Sequence, residues 1–248
     1  GVLPQSHTLD TLGVYGRSLD DVALLAECMS AYDPSDSASY LRSRPPLLSM
    51  SRAALPGKPS FAFVKTPAWV DADPAMKKAL EAFVAKLGAQ VEEVEPPRLG
   101  DVIACQRIIQ AAENATYYGP LLDRAPELLS GELRARLEAG LKVPVRDYID
   151  AIVGHDEAYA RIASLLGEYT AILTPAAPGP APALKSGVTG SPVFNGLWTY
   201  LGCPCMTLPL LEVGGLPVGV QLVGSRRDDG RLLGTARWLE AFHRGALA

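Results

Sequence analysis

Residues 201–224, LGCPCMTLPLLEVGGLPVGVQLVG, constrain the fold more than any other stretch, because they carry a single charge, Glu212. Gly214-Gly215 divides them into two apolar runs of strand length, CMTLPLL and PVGVQLVG. A Gly-Gly pair between such runs is a hairpin signal, since glycine accepts the positive φ that tight turns require. The near-continuous hydrophobicity predicts strands covered on both faces, as in a sheet clothed by helices. A membrane helix needs about 18 or more uninterrupted apolar residues. Here proline and glycine recur throughout, so that reading fails.

Elsewhere helix and strand signals alternate, which predicts an α/β layer architecture. Ser18 and Asp21 form a capping-box pattern, followed by Val22, Leu25, Ala26 and Met29 on one expected face, with Asp33-Pro34 as the stop. Residues 35–56, rich in Ser, Arg and Pro, read as a long surface connection. FAFVKT (61–66) reads as a strand, Asp73-Pro74 as a helix start, and Met76, Leu80, Phe83, Val84 and Leu87 as its apolar stripe, closed by Gly88. A further strand over 89–95 completes a βαβ unit with a right-handed crossover. Helical periodicity marks 101–118, 132–141 and 146–166. TAILTP (170–175) reads as a short buried strand, PAAPGPAPA (175–183) as irregular or extended, and 229–244 as a final amphipathic helix with Leu232, Ala236 and Leu239 inward.

Several function classes are excluded early. Lys and Arg number 23 against 27 Asp and Glu, and no basic run exceeds Arg226-Arg227, so the clustered cations that neutralise nucleic-acid phosphates are missing. Four cysteines in 248 residues do not make a disulfide framework, and reduced thiols with a cytoplasmic location are the expectation. Cys203 and Cys205 are spaced C-x-C, but the remaining cysteines and the three histidines are scattered, so buried thiols are expected in place of a metal site. SHTLD (6–10) places Ser, His and Asp side by side. Triad members converge from separate elements, so this is read as a capped turn. No G-x-S-x-G occurs, and GGLPVG and GVTGSP match neither a dinucleotide nor a phosphate loop.

Four segments, in order and spacing, resemble the amidase signature family of serine amidases. GVLPQSHTLDTLGVYGRSLDD (1–21) is similar to the segment that follows that family's nucleophile region. TAILTPAAP is similar to its strand ending in T-P-x-x-P, FNGLWTYLGCPCMTLP (194–209) to its F-N-containing segment, and GGLPVGVQLVGSRRDDGRLLGTARWLE (214–240) to its closing G-L-P-V-G-x-Q-L-V-G. The resemblance implies an α/β fold: the C-terminal part of an α/β/α single domain around a mixed sheet. It implies amide-bond hydrolysis without metal or organic cofactor, by a nucleophilic Ser, a Ser held by a cis peptide bond and a Lys base, through an acyl-enzyme. None of those residues can be placed here, because nothing resembles G-G-S-S-G-G-S and no lysine stands in a matching segment.

The expectation is therefore a partial amidase-signature domain over 1–248 that lacks its catalytic portion, starts at Gly1 as a fragment or processed chain, and is inactive alone. By position in the resembling segments, Thr174, Pro175, Asn195, Trp198 and Thr199 are implied to border the acyl pocket. Arg136, in an R-x-x-x-G pattern, is a candidate for holding a carboxylated substrate. The implied partners are a small-molecule amide and the missing N-terminal half, with a homodimer as a candidate assembly and with neither nucleic acid nor membrane. Two alternatives stand beside this: the catalytic subunit of a tRNA-dependent amidotransferase, and a non-catalytic binding protein that kept the fold.

Overall fold

The computed structural model describes residues 2–36 and 38–246. Eight α-helices and five strands among the described residues form three layers. The sheet consists of β1 (Phe61–Val64), β2 (Val91–Val94), β3 (Ala171–Pro175), β4 (Cys205–Val213) and β5 (Leu216–Val223), in the order β2-β1-β3-β5-β4. β1 runs parallel to β2 and β3, whereas β5 is antiparallel to both β3 and β4, so the sheet is mixed as expected.

Alternation along the strands builds two cores. Phe61 and Phe63 of β1, Leu173 of β3 and Leu222 of β5 point to one face, against Met76, Leu80 and Phe83 of α3 (Pro74–Leu87) and Leu232, Ala236 and Leu239 of α8 (Asp229–His243). Ala62, Val64, Ile172 and Val223 point to the other face, against α4 (Gly100–Arg124), α6 (Val145–Glu168) and α7 (Gly196–Leu201). A period of two in side-chain direction lets one sheet serve both helical layers.

The start signals hold where local chemistry dominates. Ser18 caps α1 (Leu19–Met29) in a reciprocal capping box with Asp21, and Asp73 accepts from the backbone N–H groups of Ala75 and Met76 at the head of α3. Three expectations are corrected. The buried face of α1 is Leu19, Val22 and Ala23, while Leu25 and Met29 are exposed. The connection over 35–56 contains a short helix, α2 (Leu47–Arg52), whose Leu47 and Ser51 are buried; Arg237 of α8 donates to the Ser51 carbonyl at 2.9 Å. β4 is not covered on both faces: it is an edge strand with alternating exposure, and its register shifts between Leu208 and Leu211, around Pro209. Edge position and bulge are where a sheet tolerates proline.

Candidate functional site

The face of the sheet beneath α7 carries a polar row. Thr174 of β3 pairs with Gln221 of β5, which pairs in turn with Thr207 of β4, so three polar side chains lie across three strands on one face. Asn195, just before α7, is fixed above them. Its Nδ2 donates to the Ala176 carbonyl at 3.4 Å, and its Oδ1 accepts from Gln221 Nε2 at 2.8 Å. This chain of bonds sets the orientation of both amides and leaves Gln221 Oε1 buried without a donor; Thr174 Oγ1 and Trp198 Nε1 are likewise buried without partners. Gly219 lies on the same face. A Cβ there would clash with Thr207 Cγ2 and come within 3.1 Å of Ala176 Cβ, so the close approach of β4 to β5 requires glycine.

A cleft of about 570 Å³ opens beside this row. One wall is residues 8–14, another is the α7 end with Asn195, Trp198 and Thr199, and a third is Gly202 to Met206 entering β4. Tyr40 and Arg42 from the long connection close it on the side of Arg227. Arg227 is the single non-glycine residue with positive φ (64°) among the described residues, and its guanidinium lies 5.1 Å from the Tyr40 ring centre. Backbone strain of this kind concentrates at functional segments.

The expected site residues separate into three groups. Asn195, Trp198 and Thr199 line the cleft. Thr174 and Pro175 are buried in β3, with Thr174 in the polar row beside Gln221. Arg136 stands on α5 (Gly131–Gly140), exposed and ion-paired with Glu132 at 2.5 Å, and it is not among the residues lining the cleft. Trp198 is also a core residue: it is 1% exposed and belongs to the cluster beneath α4, α6 and α7.

Two anchors hold the cleft walls. Arg226 sits over the Tyr159 ring at 4.0 Å, donates to the Leu201 carbonyl at 2.7 Å and to Asp156 at 2.7 Å, and reaches His155 Nδ1 at 3.2 Å. It thereby ties the end of β5 to α6 and to the last turn of α7, where Gly202 takes φ +64°. Burial, with the Arg226 charge second, holds His155 below its ordinary value. The other anchor is Glu113 of α4, buried at 6% exposure, which accepts from Ser6 Oγ, from Thr8 N at 2.9 Å, from Thr8 Oγ1 and from Tyr148 OH at 2.8 Å. Burial raises its carboxyl, and the hydrogen bonds from Ser6, Thr8 and Tyr148 outweigh it, leaving a net lowering.

SHTLD is a turn: Ser6 Oγ accepts from Leu9 N at 3.1 Å, and the Ser6 carbonyl from Asp10 N at 3.0 Å. The cysteines are free thiols, and the expected burial of the C-x-C pair is corrected: Cys203 is half-buried and Cys205, on the edge strand β4, is exposed. Loss of solvent around its sulfur pushes Cys203 up to about 12, so it is not a thiolate near neutral pH. Among the described residues, no group of three or more His, Cys, Asp or Glu could hold a metal ion, and no helix is long and apolar enough to cross a membrane. The cleft lining contains no lysine. Lys65 lies elsewhere, bound to Glu81 at 3.2 Å and Glu93 at 2.9 Å.

Sequence reasoning missed Gln221, Glu113 and Arg226. A signal existed for two of them. Gln221 is the sole polar side chain in PVGVQLVG, and Glu113 follows buried Ile109 by one helical turn, so its carboxylate had to find donors.

Comparison with known proteins supplies the family. A solved structure of a vestigial protein complex bearing on the origin of an s-triazine catabolic enzyme superposes with a TM-score of 0.84 at 22% identity, over 96% of this chain and 55% of that one. A solved amidase gives a TM-score of 0.81 at 27% identity, over 98% and 55%. The class is thus the mixed-sheet α/β fold of amidases. The family model described as Amidase matches residues 1–233, and the chain belongs to that family. The A-type subunit of the glutamyl-tRNA(Gln) amidotransferase of Thermus thermophilus is 29% identical over 95% of this chain and 56% of its own length. The chain therefore spans about half the length of the relatives it matches.

Proposed function

We propose that this chain forms the core and the substrate-side wall of an amide-bond hydrolase of the amidase signature type. In this reading the complete enzyme uses Ser–cis-Ser–Lys acyl-enzyme chemistry, and the nucleophile, the bridging serine, the lysine and the oxyanion-hole loop come from residues outside these 248. One observation carries the reading: residues 1–233 match the family, yet the sequence holds no Gly/Ser-rich catalytic segment and the cleft contains no lysine to act as base. What the chain does hold is a shaped apolar and polar surface. Thr174, Pro175, Asn195, Trp198 and Thr199 are assigned to the substrate side, and Arg136 is retained as an outlying candidate for a carboxylated substrate. Losing all members of a nucleophile–base set removes most of the rate enhancement, and losing the oxyanion hole removes most of what is left. Chain 1–248 alone is accordingly expected to be inactive.

The test is ammonia release from a panel of linear amides. Chain 1–248 of verified mass should release none, and the same chain joined to an amidase segment carrying the two serines and the lysine should release it. Turnover by the 248-residue chain alone would overturn the assignment. A second reading, the catalytic component of a tRNA-dependent amidotransferase, is favoured by the 29% identity to the Thermus protein. It predicts dependence on partner subunits. If the joined protein binds amides without hydrolysing them, the fold serves binding alone.

A further inference from the structure

Glu113 connects three segments that are remote in sequence. It stands on α4; Ser6 and Thr8 belong to the first turn of the chain, and Tyr148 belongs to α6. The two carboxylate oxygens share four donors evenly: Oε2 takes Ser6 Oγ and Thr8 N, and Oε1 takes Thr8 Oγ1 and Tyr148 OH. An ionised carboxylate offers about four lone-pair sites, so this one is saturated, and a protonated acid would instead bring a donor into a ring of donors. Such charge-assisted bonds are the stronger kind. Immediately downstream the same turn becomes a cleft wall. Residues 8–14 line the cavity opposite Trp198 and Thr199, and Leu9, 8% exposed, enters the same core cluster as Trp198. Leu12 and Tyr15 are exposed, so this stretch has few apolar contacts of its own to hold it.

We propose that Glu113 is a positioning residue of the cleft: through Ser6 and Thr8 it fixes the wall formed by residues 8–13 against α7, and so sets how a substrate fits. The proposal rests on the amide-hydrolase reading for its kinetic consequence and stands on the hydrogen bonds for its structural one. Two variants separate the effects. Glu113→Leu removes both acceptor oxygens. In Glu113→Gln the side-chain oxygen can still accept from Ser6 Oγ and Thr8 N, and the Thr8 and Tyr148 hydroxyls can rotate to accept from its amide.

The first measurement is hydrogen exchange on the 248-residue chain. In Glu113→Leu the peptide spanning 6–13 should exchange at least about tenfold faster, with Glu113→Gln intermediate, while peptides in β3 and β5 stay within about twofold of wild type. Acceleration spread evenly over the whole chain, or none in 6–13, would overturn the proposal. The second measurement uses the complete amidase: KM for the preferred amide should rise about tenfold in Glu113→Leu with kcat within about threefold, and Glu113→Gln should restore part of it. A fall in kcat at unchanged KM would also overturn it, because that pattern belongs to a group acting on the chemistry. If the wild-type complete enzyme hydrolyses no amide, the amidase reading fails, and the exchange comparison decides Glu113 by itself.

Discussion

Replacing Trp198 tests whether the indole is an anchor of the core or a loose plate at the cleft. The side chain is 1% exposed and sits among Leu197, Tyr200, Leu201 and Ile109. Cutting such a residue back to alanine costs about 3–5 kcal/mol, the sum of lost transfer energy and the cavity left behind. Phenylalanine is a different perturbation. It leaves a cavity of about 40 Å³, which at about 24 cal/mol per Å³ costs about 1 kcal/mol. It also removes Trp198 Nε1, a buried N–H with no acceptor. An unmade buried hydrogen bond costs about 1–3 kcal/mol, so Trp198→Phe should range from about neutral to about 2 kcal/mol more stable than wild type. Urea unfolding followed by circular dichroism, with equal slopes for the three proteins, gives both values. The expected separation between the alanine and phenylalanine variants is at least about 2 kcal/mol. If alanine costs under about 1 kcal/mol, Trp198 is not a core anchor. If phenylalanine costs as much as alanine, the indole N–H is bonded in solution and is no orphan.

Gly219→Ala should destabilise by about 1–3 kcal/mol in the same urea assay, because the new methyl must displace Thr207 Cγ2. Gly57→Ala, where nothing lies within 4 Å, is the matched control and should be near neutral. Acid sensitivity should have two origins. His155 is held below its ordinary value of 6.5 by burial, so the unfolded chain takes up its proton first; the stability from the neutral imidazole is complete above about pH 6.5 and declines as pH falls below it. Its ring faces Arg226, Asp156 and, edge-on, the Tyr200 ring, and His155→Gln should flatten the decline in stability below about pH 6.5. Glu113 is lowered from 4.5, so its contribution is present above that value and is lost only as pH falls through the lower folded value; Glu113→Gln should remove this deeper acid step and leave the His155 step intact. Fluorescence-detected urea titrations at a series of pH values measure both steps. Arg226→Lys should destabilise the end of α7, because an ammonium cannot donate to Leu201 O and Asp156 while also lying flat on Tyr159. Faster exchange confined to 198–205 is the expected signature.

Much of the architecture was legible because the signals are local. The capping box at Ser18, the Asp73-Pro74 start and the Gly214-Gly215 turn each act within a few residues, and each stands where the sequence placed it. Helical periodicity likewise placed the long helices, and short apolar runs bounded by Gly or Pro placed the strands, with element ends shifted by a few residues. Errors arose where the partner decides. Leu25 and Met29 are apolar and on helical spacing, but α1 meets the body through Leu19, Val22 and Ala23. α2 is too short for a periodicity signal and owes its place to packing against α8, with Arg237 donating to Ser51 O. The apolar composition of β4 suggested cover on both faces, while its place at the sheet edge left half of it exposed.

The candidate site divides along the same line. Sequence alone determined the chain's family resemblance, the hairpin, the Pro-terminated strand β3 and the segment bearing Asn195, Trp198 and Thr199, because each is written in contiguous residues. Tertiary structure alone decided that Gln221 lies between Thr174 and Thr207 and bonds Asn195, that Arg226 clamps α6 to α7, and that Glu113 gathers Ser6, Thr8 and Tyr148. Those contacts join residues up to 107 positions apart. A buried polar group must be satisfied, so the sequence can require that Glu113 have partners; which residues they are is settled only when three segments pack together.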